Sequence, residues 1–87
     1  MPRIEIYTTR ACPYCSMAKS LLDKKNAAYE ETAVDADPEK LEEAVKRSGG
    51  RKTVPQIFID GQHVGGYDEL NELDKKGRLD SMIGESI

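Results

Sequence analysis

Two cysteines separated by two residues, Cys12-Pro13-Tyr14-Cys15, fall where a strand pattern gives way to a helix pattern, and no other feature restricts the fold so sharply. Ile4 and Ile6 with the β-favouring Tyr7 and Thr8 predict a strand over residues 3 to 8. Pro13 suits a first helical position, after which Met17, Ala18, Leu21 and Leu22 form an apolar stripe at helical spacing that ends near Lys24, Lys25 and Asn26. Cys12 is therefore expected at a helix N-terminus, where unpartnered backbone N–H groups and the positive end of the helix dipole favour thiolate over thiol. That makes Cys12 the expected nucleophile. Cys15 lies nearly one turn further on the same side, close enough for an internal disulfide, and is expected to be the more buried, resolving thiol.

Other readings of the pair have to be weighed. A structural zinc site would want four ligands, and the chain holds two Cys and one His. Two inert buried cysteines fit the strand-loop-helix setting less well than a reactive pair does. Two cysteines are too few for a small secreted scaffold, and a close pair in a reducing compartment points to redox chemistry.

With 87 residues there is room for one domain, residues 1–87, and one modest core. No stretch approaches the ~20 apolar residues that span a bilayer, and the N-terminus lacks a signal-peptide pattern, so a cytoplasmic protein without a membrane partner is expected. The net charge of -3 argues against nucleic acid as a partner. The charge is uneven, however. Residues 1 to 25 carry five basic and two acidic groups, and residues 46 to 55 carry four basic and none acidic. Positive charge thus gathers around the cysteines and before Pro55, which suits a small anionic ligand as well as an ordinary solvated face.

Beyond the first helix, residues 27 to 34 predict a second strand, and Asp37 and Pro38 an N-cap and first helical residue. Leu41, Ala44 and Val45 supply the expected buried face of that helix, which should stop at Gly49 and Gly50. Val54 to Asp60 reads as a central strand, and Asp60-Gly61 as a hairpin turn pairing Gln56 to Ile59 with residues 62 to 64. Gly65 and Gly66 break the chain. Leu70 and Leu73 mark a third helix closed by Gly77, and Leu79, Met82 and Ile83 a short terminal one. Met17 and Met82 read as core. The order β-α-β-α-β-β-α, with a right-handed crossover between parallel strands, predicts an α/β, thioredoxin-like fold: a four-stranded mixed sheet flanked by helices.

With CPYC at a helix start, Thr53-Val54-Pro55 before a strand and Gly65-Gly66-Tyr67-Asp68 opening a later helix, essentially the whole chain resembles the glutaredoxins, most of all the short bacterial dithiol ones. The resemblance implies a glutathione-disulfide oxidoreductase with no tightly bound cofactor and no metal, using glutathione as reductant. It implies a cis Pro55 facing the cysteines, with Val54 pairing its backbone to the cysteinyl part of glutathione beside Thr53 and Tyr14. It further implies that backbone N–H groups near Gly66 and Tyr67 hold the γ-glutamyl carboxylate while Asp68 takes the ammonium. A plain helix cap is the rival reading of Asp68. Partners implied are glutathione and disulfide-containing or glutathionylated proteins, with the protein acting as a monomer.

Two departures from the family pattern matter. The lysine often found three residues before the first cysteine is Thr9 here, so Arg10 or Lys52 is the candidate to replace it. The family's frequent extra cysteine is Tyr67, which leaves a single redox pair. Alternative activities are a redoxin reduced by a thioredoxin reductase and a glutathione-ligated iron-sulfur carrier. Pro13 and Tyr14 are unlike the residues usual in carriers. His63 is read as a surface residue of an outer strand rather than a catalytic base.

Overall fold

The computed structural model describes residues 3–83. Strand β1, Ile4–Thr8, leads to helix α1, Pro13–Lys24, and then to strand β2, Glu30–Ala33. Helix α2, Pro38–Arg47, is followed by strands β3, Gln56–Ile59, and β4, Gln62–Gly65, and by helices α3, Tyr67–Lys75, and α4, Arg78–Met82. The sheet order is β2-β1-β3-β4, with β1 parallel to β2 and the other two pairings antiparallel. This is the expected thioredoxin-like arrangement.

The strand alternation divides the core. Ile4 and Ile6 of β1 and Ile57 and Ile59 of β3 point to one face, where they meet Ala18 and Leu22 of α1, Leu70 of α3, and Leu79 and Ile83. Tyr7 and Phe58 point to the other face and meet Val34 and Ala44, so α2 covers the second side. Local signals fix the joints. Asp37 caps α2 by accepting from the Glu39 and Lys40 N–H groups. Asp60 and Gly61 have φ of 52° and 78°, the two positive values that a tight hairpin turn between right-twisted strands requires. The turn is tied down by Arg3, whose N–H donates to Asp60 Oδ1 at 2.9 Å while its carbonyl accepts from the Asp60 N–H.

Several expectations need correction. Strand β2 begins at Glu30 rather than residue 27, because Asn26 turns left-handed and the Ala27 N–H still serves the end of α1 by donating to the Leu22 carbonyl. Gly65 does not break the chain; it is the last residue of β4, paired with Ile57. Met17 is 44 % exposed, since the buried stripe of α1 runs through Cys15, Ala18 and Leu22 and leaves Met17 on its flank. Leu41 is 40 % exposed. The guanidinium of Arg47 lies 4.1 Å from the centre of the Phe58 ring and takes the covering role expected of Leu41.

Arg47 also makes a two-pronged contact with Glu5, both N···O distances being 3.0 Å, and donates to the Tyr7 hydroxyl at 2.8 Å. Tyr7 in turn donates to Glu43. The Arg47 guanidinium holds the Glu5 carboxyl below its ordinary range, through a hydrogen bond first, with burial opposing. A depressed carboxyl stabilises the fold fully above its unfolded pKa of about 4.3 and loses that contribution as pH falls through its folded value. Glu5→Gln is therefore expected to destabilise the protein at pH 7 by about 1–2 kcal/mol and to flatten the acid limb of the stability curve, measured by urea unfolding from pH 3 to 7. Leu22→Ala, by contrast, should cost about 3 kcal/mol at every pH in that range.

Candidate active site

Helix α1 starts where β1 ends, so its first residues stand at the C-terminal edge of the parallel pair. Cys12 is the N-cap, in extended conformation, and its Sγ accepts from the Cys15 N–H at 3.1 Å. Pro13 occupies the first turn, where a missing N–H costs no helical bond. A backbone donor is thereby aimed at the Cys12 sulfur. The same sulfur lies 3.8 Å from the Val54 carbonyl oxygen. Cys15 is 1 % exposed, at the head of the buried stripe of α1, and both cysteines are free thiols. Burial pushes the Cys15 thiol up to about 12, with the hydrogen bond to Cys12 adding to this and the Thr9 backbone opposing it. One sulfur is presented and the other is withheld.

Beside Cys12 runs a groove of about 210 Å³ lined by Tyr14, Arg51, Thr53, Val54, Pro55, Gly66, Tyr67, Asp68 and Glu69. The Val54-Pro55 bond is cis. Tyr14 and Tyr67 stand on its α1 and α3 sides with ring centres 6.3 Å apart. Of the residues expected from the sequence, Tyr14, Thr53, Val54, Pro55, Gly66, Tyr67 and Asp68 are brought together here. Arg10 and Lys52 are not among the lining residues, and Arg10 is engaged with Asp35, its N–H donating to Oδ2 at 3.2 Å. The groove's cation is Arg51, one of the basic residues before Pro55.

The start of α3 shows what the sequence reading missed. Glu69, not Asp68, caps the helix: its carboxylate accepts from the Gly66 N–H at 2.6 Å and pairs with Arg51 at 3.3 Å. The Gly66 N–H first, helped by Arg51 and opposed by burial, holds the Glu69 carboxyl below its ordinary range. A glutamate three residues after the N-cap is the spacing of a capping box, so the signal is present in the sequence, masked by glycine at the cap. Asp68 is exposed and has no hydrogen-bond or ion-pair partner among the described residues. Gly65, at φ 124°, could not carry a side chain without colliding with the Glu69 carboxylate. A Cβ on Gly66 would sit 3.3 Å from the Pro55 carbonyl, so the helix start is pressed against the loop that faces Cys12.

His63, on β4, is half-buried rather than exposed. Its ring stacks against Phe58 and its Nε2 lies 2.7 Å from Gln56 Oε1. A larger cavity, about 820 Å³, lies over the opposite end of the sheet among Arg3, Glu5, Tyr7, Glu43, Arg47 and Asp60. Its cations all have carboxylate partners and it contains no thiol, so the chemistry resides in the smaller groove. No helix of the described residues is long and apolar enough to cross a membrane.

A thioredoxin-like fold with a C-x-x-C pair at a helix start, one thiol half-buried and the other buried, fits the class of thiol-disulfide oxidoreductases. The glutaredoxin family profile matches residues 4–64. The chain is 57% identical over 81 residues to glutaredoxin 1 of Rickettsia conorii, covering 92% of this chain and 79% of that one. It is 52% identical over 83 residues to glutaredoxin 3 of Escherichia coli K12, covering 95% and 99%. Among solved structures it superposes on a buckwheat glutaredoxin-glutathione complex with a TM-score of 0.84 at 33% identity, covering 94% and 76% of the two chains. The glutaredoxin of Brucella melitensis matches with a TM-score of 0.82 at 48% identity, covering 93% and 87%. The chain belongs to the glutaredoxin family, and it is a glutathione-dependent thiol-disulfide oxidoreductase.

The unequal burial of the two thiols has a direct readout. At pH 8, iodoacetamide is expected to label Cys12 of the reduced native protein at least ~10-fold faster than Cys15, with peptide mapping by mass spectrometry giving the two rates. Equal labelling would contradict the assignment of a withheld thiol.

Proposed function

We propose that Cys12 is the attacking thiolate and Cys15 the resolving thiol, in a single domain spanning residues 1–87 that works in two modes. With a glutathionylated protein, Cys12 attacks the glutathione sulfur, a Cys12–glutathione disulfide forms, and the protein leaves as a thiolate that takes up a proton. A second glutathione, as thiolate, attacks the glutathione half of that disulfide, freeing Cys12 and producing glutathione disulfide. With a protein disulfide, Cys12 forms the mixed disulfide with one protein sulfur and expels the other. Cys15 then loses its proton and attacks the Cys12 sulfur, releasing the reduced protein and leaving a Cys12–Cys15 disulfide, which two glutathione molecules reduce.

The observation that carries this reading is the single arrangement at Cys12: a sulfur on a helix N-terminus, facing the Val54 carbonyl at the mouth of a groove sized for a peptide-like ligand. Val54 offers its main chain to the cysteinyl part of glutathione, and Thr53, Pro55 and Tyr14 line that stretch. The α3 start offers its free N–H groups at Tyr67 and Asp68 to the γ-glutamyl carboxylate, and the unpartnered Asp68 carboxylate suits the ammonium. Arg51, rather than Arg10 or Lys52, is the cation best placed for the glycine carboxylate. Partners are glutathione and glutathionylated or disulfide-bonded proteins in the reducing cytoplasm, with the protein acting as a monomer and without nucleic acid. The family match and the named glutaredoxin relatives favour this reading over reduction by a thioredoxin reductase and over cluster carriage, the alternatives raised by the sequence.

A coupled assay of NADPH consumption with glutathione and glutathione reductase tests the division of labour. Cys12→Ser is expected to lose ~10³-fold or more in rate with both substrate types, since the remaining thiol, Cys15, is buried and its pKa is raised. Cys15→Ser is expected to keep turnover with a glutathionylated peptide while failing to reduce a protein disulfide. Loss of both activities in Cys15→Ser would overturn the proposed roles.

A further inference from the structure

Residues 51–55 form the side of the groove that faces Cys12, yet the main chain does little to hold them. Among the described residues, no main-chain hydrogen bond of the turns and loops involves Arg51 to Pro55. Val54 packs on the Tyr7–Phe58 cluster and Arg51 pairs with Glu69, and two further side chains hydrogen-bond to the loop's carbonyls. The Ser48 hydroxyl lies 3.1 Å from both the Arg51 and the Val45 carbonyl oxygens and shares its one proton between them. Gln56, the first residue of β3, reaches back so that its Nε2 donates to the Thr53 carbonyl at 3.0 Å and to Thr53 Oγ1 at 3.2 Å.

Gln56 is 1 % exposed, so its amide has to find partners inside the protein. A carbonyl oxygen only accepts, which means the NH2 end of the Gln56 amide must face Thr53 and the Oε1 end must face the other way. There it meets His63 Nε2 at 2.7 Å, and that nitrogen must carry its proton. The neutral Nε2–H tautomer and the imidazolium both donate at this position. The His63 ring is itself held against Phe58, with centres 5.0 Å apart. A fixed ring thus orients a buried amide, and the amide fixes the carbonyl next to Val54.

We propose that Gln56 and His63 are positioning residues for glutathione: His63 sets the orientation of the Gln56 amide, which holds Thr53 so that the Val54 main chain stands ready for the ligand. The proposal rests on the groove being the glutathione site. Neither residue touches the ligand or the thiols. Their effect is preorganisation, lowering the ordering that binding would otherwise impose on a loop with few bonds of its own.

Three variants test this. Gln56→Met keeps side-chain volume without the amide, His63→Phe keeps a ring against Phe58 without a donor, and His63→Gln keeps a donor. Gln56→Met is expected to lower kcat/KM with a glutathionylated peptide about tenfold, equivalent to 1.4 kcal/mol, while iodoacetamide alkylation of Cys12 stays within about twofold of the native rate. His63→Phe should show a loss of about threefold, and His63→Gln should recover most of it. In the ligand-free protein, the ¹⁵N order parameters of Thr53 and Val54 are expected to fall from about 0.85 to below about 0.6 in Gln56→Met. Unchanged kcat/KM and order parameters in Gln56→Met and His63→Phe would overturn the proposal, as would alkylation that slows in step with turnover. If the native protein fails to turn over the glutathionylated peptide, the glutathione reading falls, and the order parameters alone decide whether Gln56 holds the loop.

Discussion

Burial of one stripe of α1 against β1 and β3 is the contact on which the site depends. Ala18 and Leu22 rest on Ile4, Ile6, Ile57 and Ile59, and this packing sets both the height and the rotation of the helix. Cys15 belongs to the same stripe, so it is drawn into the protein by the forces that seat the helix. Cys12, three residues earlier, falls just outside the packed zone at the helix cap. The chemical difference between the two sulfurs is thus a by-product of where the helix stops being covered.

The opposite wall is built on a different principle. Val54 packs on the Tyr7–Phe58 cluster and Pro55 is buried, but the rest of the loop from Arg51 to Pro55 is exposed and is fixed by polar side chains anchored in the sheet and at the end of α2. Glu69 performs the same service for α3, keeping the Gly66 N–H and Arg51 in fixed relation. Apolar packing seats the wall that carries Cys12, and side-chain hydrogen bonds shape the wall proposed to carry the ligand.

How much of this is legible in the sequence depends on the range of the interaction. Cys12-Pro13-Tyr14-Cys15, Asp37-Pro38 and Asp60-Gly61 are set by bonds within a few residues, and they stand where the pattern puts them. Asp68 and Glu69 are both acidic residues in the first turn of α3, and only the reach of the longer side chain back to Gly66 decides which one caps. Leu41 and Arg47 lie on either side of the buried Ala44 on α2, and residue type favours leucine as the one that packs inward. The sheet beneath offers Glu5 and the Tyr7 hydroxyl as well as Phe58, a surface that an arginine meets better. Gln56 opens an otherwise apolar strand, and nothing in the local sequence reveals that its partners are Thr53 behind it and His63 across the hairpin.

The placement of Cys15 in the core stripe ties redox energetics to folding energetics. Oxidising the pair converts a buried thiol that packs beside Ala18 and Leu22 into half of a disulfide whose other half is at the surface. Any difference in stability between the reduced and oxidised proteins must then appear in the reduction potential, at about 30 mV for each 1.4 kcal/mol. Substitutions around Cys15 that never touch a substrate would shift that potential if they favour one redox state over the other. The hydrophobic core under α1 thereby acts as the element that tunes how strongly this protein pulls electrons from glutathione.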